Sequence, residues 1–335
     1  MSRETPSTHI IWEFADGPWG GGNQFLKALK KQFLRKGMYQ EDAARADVIL
    51  FNGHQFQKRA MQLKRKYSDK IFVHRVDGPM TLTRDEAGVK TDRKIFACNS
   101  WIADGTVFQS EWSRRQSRLQ GMIESRFETC IINAPDPELF HPSGEIIPRA
   151  DERIRLIATS WSANPKKGFD ILHHLDRHLN FGRYTMTFVG NSDAPFSNIE
   201  TLAPQPSEKL ADLLRAHDIF VAPSLVEACS NSFLEAMHCG LPAAARNNSS
   251  HPELLNGNGL LFEGTADILS TIDKIAANLE EYRSTPRNVL SIDMVAERYS
   301  AFMEQITRAA NNKRYRPQRL STTKYYLRRL ILKKL

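Results

Sequence analysis

Apolar and polar positions alternate along the chain in a way that predicts strands followed by helices. Short apolar, β-branched runs between turn residues indicate buried strands, and longer stretches with apolar residues every three or four positions indicate helices. In the first part of the chain the predicted strands are His9–Ala15, Ala46–Asn52, Lys70–Val76 and Phe127–Asn133. The predicted helices there are Asn23–Lys36 and Glu111–Leu119.

A second alternating set begins at Ile154. Its predicted strands are Ile154–Thr159, Tyr184–Val189, Asp218–Ala222 and Leu241–Ala245. Its predicted helices are Gly168–Leu179, Ser207–Ala216, Phe233–Cys239 and, at the end, Asp293–Ala309. Strands that alternate with helices predict parallel sheets with helical crossovers.

The two sets are separated by a stretch rich in proline and turn residues, from Ala134 to Pro148. We therefore predict two Rossmann-like domains that face a central cleft, residues 1–148 and 149–310, followed by a basic tail, 311–335. Ligands of such sheets gather at the carboxyl ends of the strands. The loop at 20–22, the segment after Thr159 and Glu227 all lie at such ends.

Composition agrees with a globular protein of more than one domain. The chain has 335 residues, of which 41% are hydrophobic and 25% charged. No apolar run approaches the roughly 20 residues that span a bilayer, and the N-terminal residues lack the apolar core of a signal peptide. The four cysteines are scattered without metal-ligand spacing. We therefore expect a cytoplasmic protein with reduced cysteines.

The net charge of +8 is concentrated at the end of the chain. Residues 313–335 contain nine Lys or Arg and no Asp or Glu, so the rest of the chain is close to neutral. On a helix these charges do not collect on one face. Because basic clusters are attracted to anionic lipid, we expect this tail to bind the inner face of a membrane peripherally. A solubilising tail and a brace against a domain are the alternatives, and nothing in the body of the chain favours nucleic acid.

One carboxylate stands out in an otherwise uncharged helix. Between Ala228 and Ala245 the only formally charged residue is Glu235, and Glu227 precedes it by eight positions. A buried glutamate requires a partner, and the sequence offers no local cation. Glu235 is therefore either at an exposed edge of the helix, or paired with a distant basic residue or with the hydroxyls of a ligand.

These residues resemble the retaining glycosyltransferases of family 4. The similarity is carried by the Glu-x7-Glu pair, the following Ala236–Pro242 and the segment Ser250–Phe262. Lys166–Leu172 resembles the family's Lys-Gly element, and Ile131–Pro142 its pre-linker segment. The resemblance implies the GT-B fold and a nucleotide-sugar donor.

The resemblance also implies roles for the helix that carries Glu235. It places Glu227 beside the donor sugar and Glu235 at the hydroxyls of the ribose. The helix start independently predicts an anion site, because its first backbone amides have no intrahelical partner. The residues at that start are Ser230, Asn231 and Ser232.

Lys167 and Trp161 follow the first strand of the predicted second domain. Lys167 either stabilises the charge of the leaving diphosphate or is a solvated surface lysine. Family members carry an arginine six residues before this lysine, where this chain has Trp161. That tryptophan either stacks on the donor or packs in a core, and half of the usual phosphate clamp is missing or is supplied from elsewhere.

Three weaker candidates lie in the first domain. The glycines Gly20, Gly21 and Gly22 resemble the family's glycine loop and suit a close approach of backbone to the donor or acceptor, although they also suit any tight turn. His74 and Asp77 end a strand and are candidates for orienting the sugar or the acceptor hydroxyl. A histidine at a strand end is also a common structural residue.

The predicted activity rests on the family resemblance and on the lack of a metal-binding motif. No Asp-x-Asp pair follows an apolar strand, so we predict no metal site and no cofactor. The resemblance implies a retaining hexosyltransferase, without a covalent enzyme intermediate, that moves a sugar from a UDP- or GDP-sugar to a glycan or lipid-linked acceptor in cell-surface polysaccharide synthesis.

Three other classes fit parts of the sequence. Trp161 in place of the family arginine favours a non-catalytic nucleotide-sugar-binding protein of the same fold. A GT-B-fold epimerase would need acid and base groups near the sugar, for which His74 and Asp77 are weak candidates. A nucleic-acid partner protein would depend on the basic tail alone.

Overall fold

The computed structural model describes residues 5–15, 17, 21–142, 151–285 and 288–335. The chain divides into two compact units, each built from separate segments. The first comprises Met1–Phe14, Leu26–Ile132 and Ile292–Leu335, and the second comprises Ala15–Phe25 and Asn133–Ser291.

The first unit contains a parallel sheet whose five strands follow one another in chain order. The strands are β1 (Thr8–Ile11), β2 (Val48–Asn52), β3 (Ile71–Val76), β4 (Gly105–Phe108) and β5 (Glu128–Cys130). β2 and β3 are buried at every position, as expected for parallel strands covered on both faces.

Helices cover this sheet on both sides. They are α1 (Gly21–Arg35), of which the first residues group with the second unit, α2 (Gln57–Lys66), α3 (Thr81–Ile102), α4 (Glu111–Leu119), α11 (Ile292–Asn311) and α12 (Thr322–Lys334). α3 is kinked at Asp85, which has a φ of 48°. Three of these helices, α2, α3 and α12, were not expected from the sequence.

The last long helix, α11, packs directly on the first sheet. The Thr8 hydroxyl donates to the Met303 sulfur over 3.2 Å, and a Cβ added to Gly105 would lie 2.4 Å from Ile306. Residues from 292 onward therefore group with the first unit, so the division differs from the expected borders at 148 and 310. Of the expected linker at 134–148, residues 143–148 lie outside the described residues.

A buried carboxylate, Asp104, joins the chain's end to this unit. Its oxygens accept hydrogen bonds from the Lys64 ammonium at 2.8 Å and the Phe72 amide at 2.8 Å. They also accept from the Tyr315 hydroxyl at 2.8 Å and the Gln318 amide at 2.6 Å. Lys64 and Asp104 are fully buried, and burial lowers the pKa of Lys64 although Asp104 opposes this.

The second unit contains a six-stranded parallel sheet whose strand order reverses near its middle. The strands are β6 (Ile154–Ser160), β7 (Tyr184–Gly190), β8 (Glu200–Leu202), β9 (Ile219–Ala222), β10 (Ala243–Arg246) and β11 (Gly259–Phe262). Their order in the sheet is β11-β10-β9-β6-β7-β8. The chain therefore leaves β6 in one direction and returns to its other side as β9, which makes a topological switch point.

The helices of the second unit connect these strands. They are a 3₁₀ turn (Pro165–Lys167), α5 (Phe169–His178), α6 (Ser207–Arg215), α7 (Asn231–His238), α8 (His251–Leu255), α9 (Ile268–Ala277) and α10 (Leu279–Ser284). α5 and α9 contribute apolar side chains to one core with β6, β7 and β9. Within the described ranges no helix has the length and apolarity needed to cross a bilayer.

Candidate functional site

The site lies at the switch point of the second sheet, beside the segments that follow the neighbouring strands β6 and β9. Parallel sheets bind ligands at such a point because the connections that leave the two strands run in opposite directions, which opens a crevice between them. The β6 loop carries Trp161 and Lys167, and the β9 loop carries Glu227. A backbone hydrogen bond of 2.8 Å from the Leu225 amide to the Lys166 carbonyl joins the two loops.

Glycine is required at the base of the lysine loop. Gly168 has a φ of +82°, and a Cβ there would lie 2.1 Å from the Pro223 carbonyl oxygen. Before it, the Asn164 side chain accepts a hydrogen bond of 2.8 Å from the Lys166 amide and caps the 3₁₀ turn. The loop is thus closely constrained, and it holds Lys167 near β9.

Lys167 and Glu227 form an ion pair in the site. The Lys167 Nζ lies 2.5 Å from Glu227 Oε1, and the two side chains are 30% and 18% exposed. A partly exposed cation of this kind is accessible to a ligand, while its charge is neutralised when no ligand is bound.

Helix α7 begins four residues after Glu227. The Ser230 hydroxyl accepts a hydrogen bond from the Phe233 amide and caps the helix. The backbone amides of Asn231 and Ser232 have no acceptor within the helix, as at any helix start. These groups line the same cavity as Lys167, so partial positive charge from the helix and full charge from the lysine converge there.

Glu235 is the unusual group of the site. It lies on the second turn of α7, is 8% exposed and also lines the cavity. No residue in the described part of the chain donates a hydrogen bond to its carboxylate. Burial raises the pKa of Glu235 from 4.5 to about 7, because desolvation disfavours the ionised form. The carboxylate has acceptor capacity that the protein itself does not use.

The cavity brings together most of the residues expected from the sequence. Its lining includes Trp161, Lys167, Glu227, Ser230, Asn231, Ser232, Glu235 and Gly21. Gly21 has little space for a side chain, since a Cβ there would lie 2.1 Å from the Asn231 Nδ2. Gly22 has open space around it, and Gly20 lies outside the described residues.

Trp161 is 49% exposed at the cavity wall rather than packed in a core. Its carbonyl oxygen accepts a hydrogen bond of 2.7 Å from the Asn191 side chain, which fixes the backbone at the end of β6. Among the described residues of the lining, Lys167 is the one Lys or Arg. The missing arginine is therefore not replaced from within the described lining.

Sequence reasoning missed several polar residues of the same cavity. They are Gln24, Thr159, Ser160, Gln205 and Ser207. Thr159 lies near the end of β6, and Gln205 and Ser207 lie at the start of α6. The rule that ligands lie beyond the carboxyl ends of parallel strands would have selected Thr159. Gln205 has no such signal, because it follows a short edge strand.

His74 and Asp77 lie in the first unit, and their environments differ. His74 is completely buried, stacked on Phe51 at 4.1 Å. One ring nitrogen lies 3.0 Å from the Gly53 carbonyl oxygen and the other 3.1 Å from Asn99 Nδ2. Burial lowers the pKa of His74 to about 4. The ring is enclosed, and at neutral pH it is uncharged. Both properties suit a structural role for His74.

Asp77 is partly exposed and accepts several hydrogen bonds. Donors are Arg75 at 2.6 Å, Gln109 at 2.6 Å and Asn52 at 3.0 Å. The neighbouring His54 was not selected from the sequence. Its Nδ1 is buried without a hydrogen-bond partner among the described residues, and burial lowers its pKa. Asp77 and His54 therefore form a polar group at the carboxyl ends of β2 and β3.

The described residues contain no group of three or more His, Cys, Asp or Glu side chains that could hold a metal ion. The described cavity-lining residues carry one cation and two carboxylates, one of which has a pKa near neutrality. This arrangement suits a ligand that combines anionic oxygens with hydroxyl groups.

Comparison with known proteins agrees with this chemistry. Residues 156–280 match the family model described as glycosyl transferases group 1. A D-inositol 3-phosphate glycosyltransferase of Corynebacterium jeikeium is 30% identical over 129 residues, which are 36% of this chain and 31% of the relative. The match thus spans about a third of that relative's length.

The whole fold is also similar to solved structures. Sucrose-phosphate synthase from Thermosynechococcus elongatus has a TM-score of 0.63 at 16% identity, covering 92% of this chain and 98% of that one. HepE of Anabaena, in complex with UDP-glucose, has a TM-score of 0.63 at 12% identity, covering 92% and 100%. Residues 156–280 are therefore similar to glycosyl transferases group 1, in a chain whose fold of two parallel α/β sheets is similar to that of GT-B-like glycosyltransferases.

Proposed function

We propose that this protein is a retaining glycosyltransferase that uses a UDP- or GDP-sugar as donor. The observation that carries the proposal is the buried carboxylate of Glu235, which lines the same cavity as Lys167 and the start of α7. A nucleoside diphosphate presents ribose hydroxyls as hydrogen-bond donors and a diphosphate as an anion. Glu235 matches the first, and Lys167 with the α7 amides matches the second.

In the proposed mechanism Glu227 neutralises Lys167 in the ligand-free protein and contacts the donor sugar when the donor is bound. A bound diphosphate competes for the Lys167 ammonium, which frees the Glu227 carboxylate to accept hydrogen bonds from the donor sugar. Lys167 then stabilises the charge that develops on the leaving diphosphate. Charge neutralisation by Lys167 and helix amides suits a reaction that needs no metal ion.

In the proposed reaction the bond between the anomeric carbon and the diphosphate oxygen breaks. A bond from the acceptor oxygen to that carbon forms on the same face, and the acceptor proton passes to the leaving diphosphate. No residue is assigned as a covalent nucleophile. We place acceptor orientation on Asp77 in the first unit, with His54 beside it in place of the enclosed His74.

The acceptor is proposed to be a glycan or a lipid-linked precursor of a cell-surface polysaccharide, used at the cytoplasmic face of a membrane. The basic segment 313–335 supports the membrane side of this proposal. The UDP-glucose complex of Anabaena HepE supports a nucleotide-sugar donor. Thermal stabilisation by a panel of nucleotide sugars tests the donor directly, because a ligand that binds only the folded state raises its melting temperature.

The two glutamates are expected to separate binding from turnover. Glu235→Ala removes the ribose acceptor, so the dissociation constant of the nucleotide, measured by calorimetry, should rise at least about tenfold. Glu227→Ala should leave nucleotide affinity within about threefold and lower kcat by about a hundredfold. Glu208→Gln, at an exposed position of α6, is the control. Unchanged nucleotide affinity in Glu235→Ala would refute the ribose assignment.

Lys167→Met is expected to lower kcat/KM by about two to three orders of magnitude, the usual effect of losing one fixed stabilising group. The adjacent Lys166→Met is the matched control, since Lys166 does not line the cavity. Donor consumption and product formation are measured by chromatography. Equal losses in the two variants would show that Lys167 has no special role at the diphosphate.

A non-catalytic nucleotide-sugar-binding protein is the second candidate. It is favoured by Trp161 at the wall, together with Lys167 as the one Lys or Arg of the described lining. The two candidates differ in turnover. Tight donor binding with neither transfer nor hydrolysis on any acceptor tested would favour the second.

A further inference from the structure

The end of the chain forms a helix that is apolar on two opposite sides. α12 begins at Ser321, whose side chain accepts a hydrogen bond from the Lys324 amide, and extends to Lys334. One side is docked on the first unit. Tyr325 is 3% exposed there, below the Arg65 guanidinium at 4.6 Å, and Arg328 donates to the Trp101 carbonyl oxygen over 3.1 Å.

The other side of α12 exposes four large apolar side chains. Tyr326 is 53% exposed, Leu327 58%, Leu330 59% and Ile331 39%. At 3.6 residues per turn they lie within an arc of about 140°, opposite the docked side. We call these four residues the outer strip. Four of the ten large hydrophobic residues exposed in the described chain therefore lie on this single helix face.

Basic residues frame the outer strip. Within α12 they are Lys324, Arg329, Lys333 and Lys334. None of these four is paired with a carboxylate of the described chain. α12 contains no Asp or Glu, and neither does α2, which packs against it and exposes Lys58, Arg59 and Lys66. The strip is thus apolar within a positive, acid-free surrounding.

We propose that the outer strip inserts into the interface of an anionic membrane, with the framing lysines and arginines on lipid phosphates. An interfacial helix lies in the membrane plane with its apolar face buried at the acyl boundary. Each basic residue near an anionic surface adds to the electrostatic attraction between protein and membrane. Apolar insertion and charge are two signals, which together anchor far better than either alone.

The competing occupants fit these observations less well. A second copy of the chain would bring another acid-free α12 against the first, which places like charges together. Stable protein interfaces also bury about 800 Å² on each partner, more than a strip four residues long on one helix provides. A nucleic acid would match the charge but would leave the four apolar side chains exposed.

Vesicle binding of the full chain tests the proposal. Vesicles of phosphatidylcholine with about one third phosphatidylglycerol should bind the protein, and pure phosphatidylcholine should bind it far less. Leu327→Gln combined with Leu330→Gln should weaken that binding at least about tenfold. The control replaces Leu119 and Ile123, which are 70% and 73% exposed elsewhere in the first unit, by glutamine.

Insertion of the outer strip into the membrane is measured with an environment-sensitive fluorescent dye. Three native cysteines are buried and Cys130 is partly buried, so Leu330→Cys offers the dye an exposed thiol. Its emission should shift to the blue with anionic vesicles, and the same dye on Leu119→Cys should not shift. Because no sugar nucleotide is needed, this result is independent of the proposed transferase activity.

Several outcomes would overturn the proposal. One is equal vesicle binding by the glutamine double variant and the parent, which would mean attraction by charge alone. Another is a concentration-dependent dimer that dissociates when Leu327 and Leu330 are replaced. Preferential binding of single-stranded RNA, retained by the double variant, would identify the surface as a nucleic-acid site.

Discussion

Glu235→Gln should stabilise the ligand-free protein at alkaline pH while it weakens nucleotide binding. Burial raises the pKa of this carboxyl from 4.5 to about 7, so the folded state holds its proton more tightly than the unfolded chain does. Below pH 4.5 both states are protonated and Glu235 costs nothing. Between pH 4.5 and 7 the unfolded chain ionises first, which favours unfolding, and above pH 7 the full penalty of ~3 kcal/mol is present.

Urea unfolding at pH 5 and pH 8 measures this penalty. The advantage of the glutamine variant over the parent should grow by ~3 kcal/mol from acid to alkaline pH. The exposed Glu208→Gln should show no such trend. An advantage that is constant with pH would mean that the Glu235 carboxyl titrates normally and that its burial is compensated.

Nucleotide binding should lower the raised pKa of Glu235 again. Ribose hydroxyls that donate to the carboxylate stabilise its ionised form and lower its pKa, so binding near pH 6 releases a proton. Affinity should then fall as the pH decreases below about 7, by up to tenfold per pH unit. Calorimetry in buffers of different ionisation enthalpy measures the proton release, which should be absent from Glu235→Gln.

Asp104→Ala should destabilise the first unit by about 3–5 kcal/mol, because it leaves the buried Lys64 without its counter-charge. The same change removes the acceptor of the Tyr315 hydroxyl and the Gln318 amide. Hydrogen exchange should therefore show that α12 loses protection beyond the loss in the rest of the unit.

A surface ion pair of the same segment is the control. Arg319 lies 2.9 Å from Asp69, and both side chains are more than three-quarters exposed. Asp69→Ala should leave the urea midpoint unchanged, since exposed pairs contribute little. Replacing Lys64 by Met together with Asp104 by Leu should restore much of the stability. If Asp104→Ala alone unfolded at the parent's midpoint, the buried pair would not hold this unit together.

The alternating strands and helices were predictable because parallel strands are continuous apolar runs. β3 (Ile71–Val76) and β9 (Ile219–Ala222) lie within predicted strands. The Glu-x7-Glu spacing also selected two residues that meet in one cavity, Glu227 and Glu235. Local pattern sufficed there because both residues lie on one loop and the helix that follows it.

Other features depend on long-range packing and were missed for that reason. α12 shows little amphipathic pattern because its two apolar sides oppose each other, and only docking on the first unit distinguishes them. For His74 the sequence left a structural and a sugar-orienting role open, because the residues that enclose its side chain, Phe51 and Asn99, come from other elements. Gln24 and Gln205 reach the cavity through tertiary placement alone.

The discontinuous first unit has a consequence for synthesis on the ribosome. Every segment of the second unit has been translated once Ser291 is added, whereas the first unit still awaits Ile292–Leu335. Until α11 emerges, the face of the first sheet around Thr8 and Gly105 lacks its cover. The unit that begins first is thus completed last, and its apolar face is open to chaperones and aggregation during the interval.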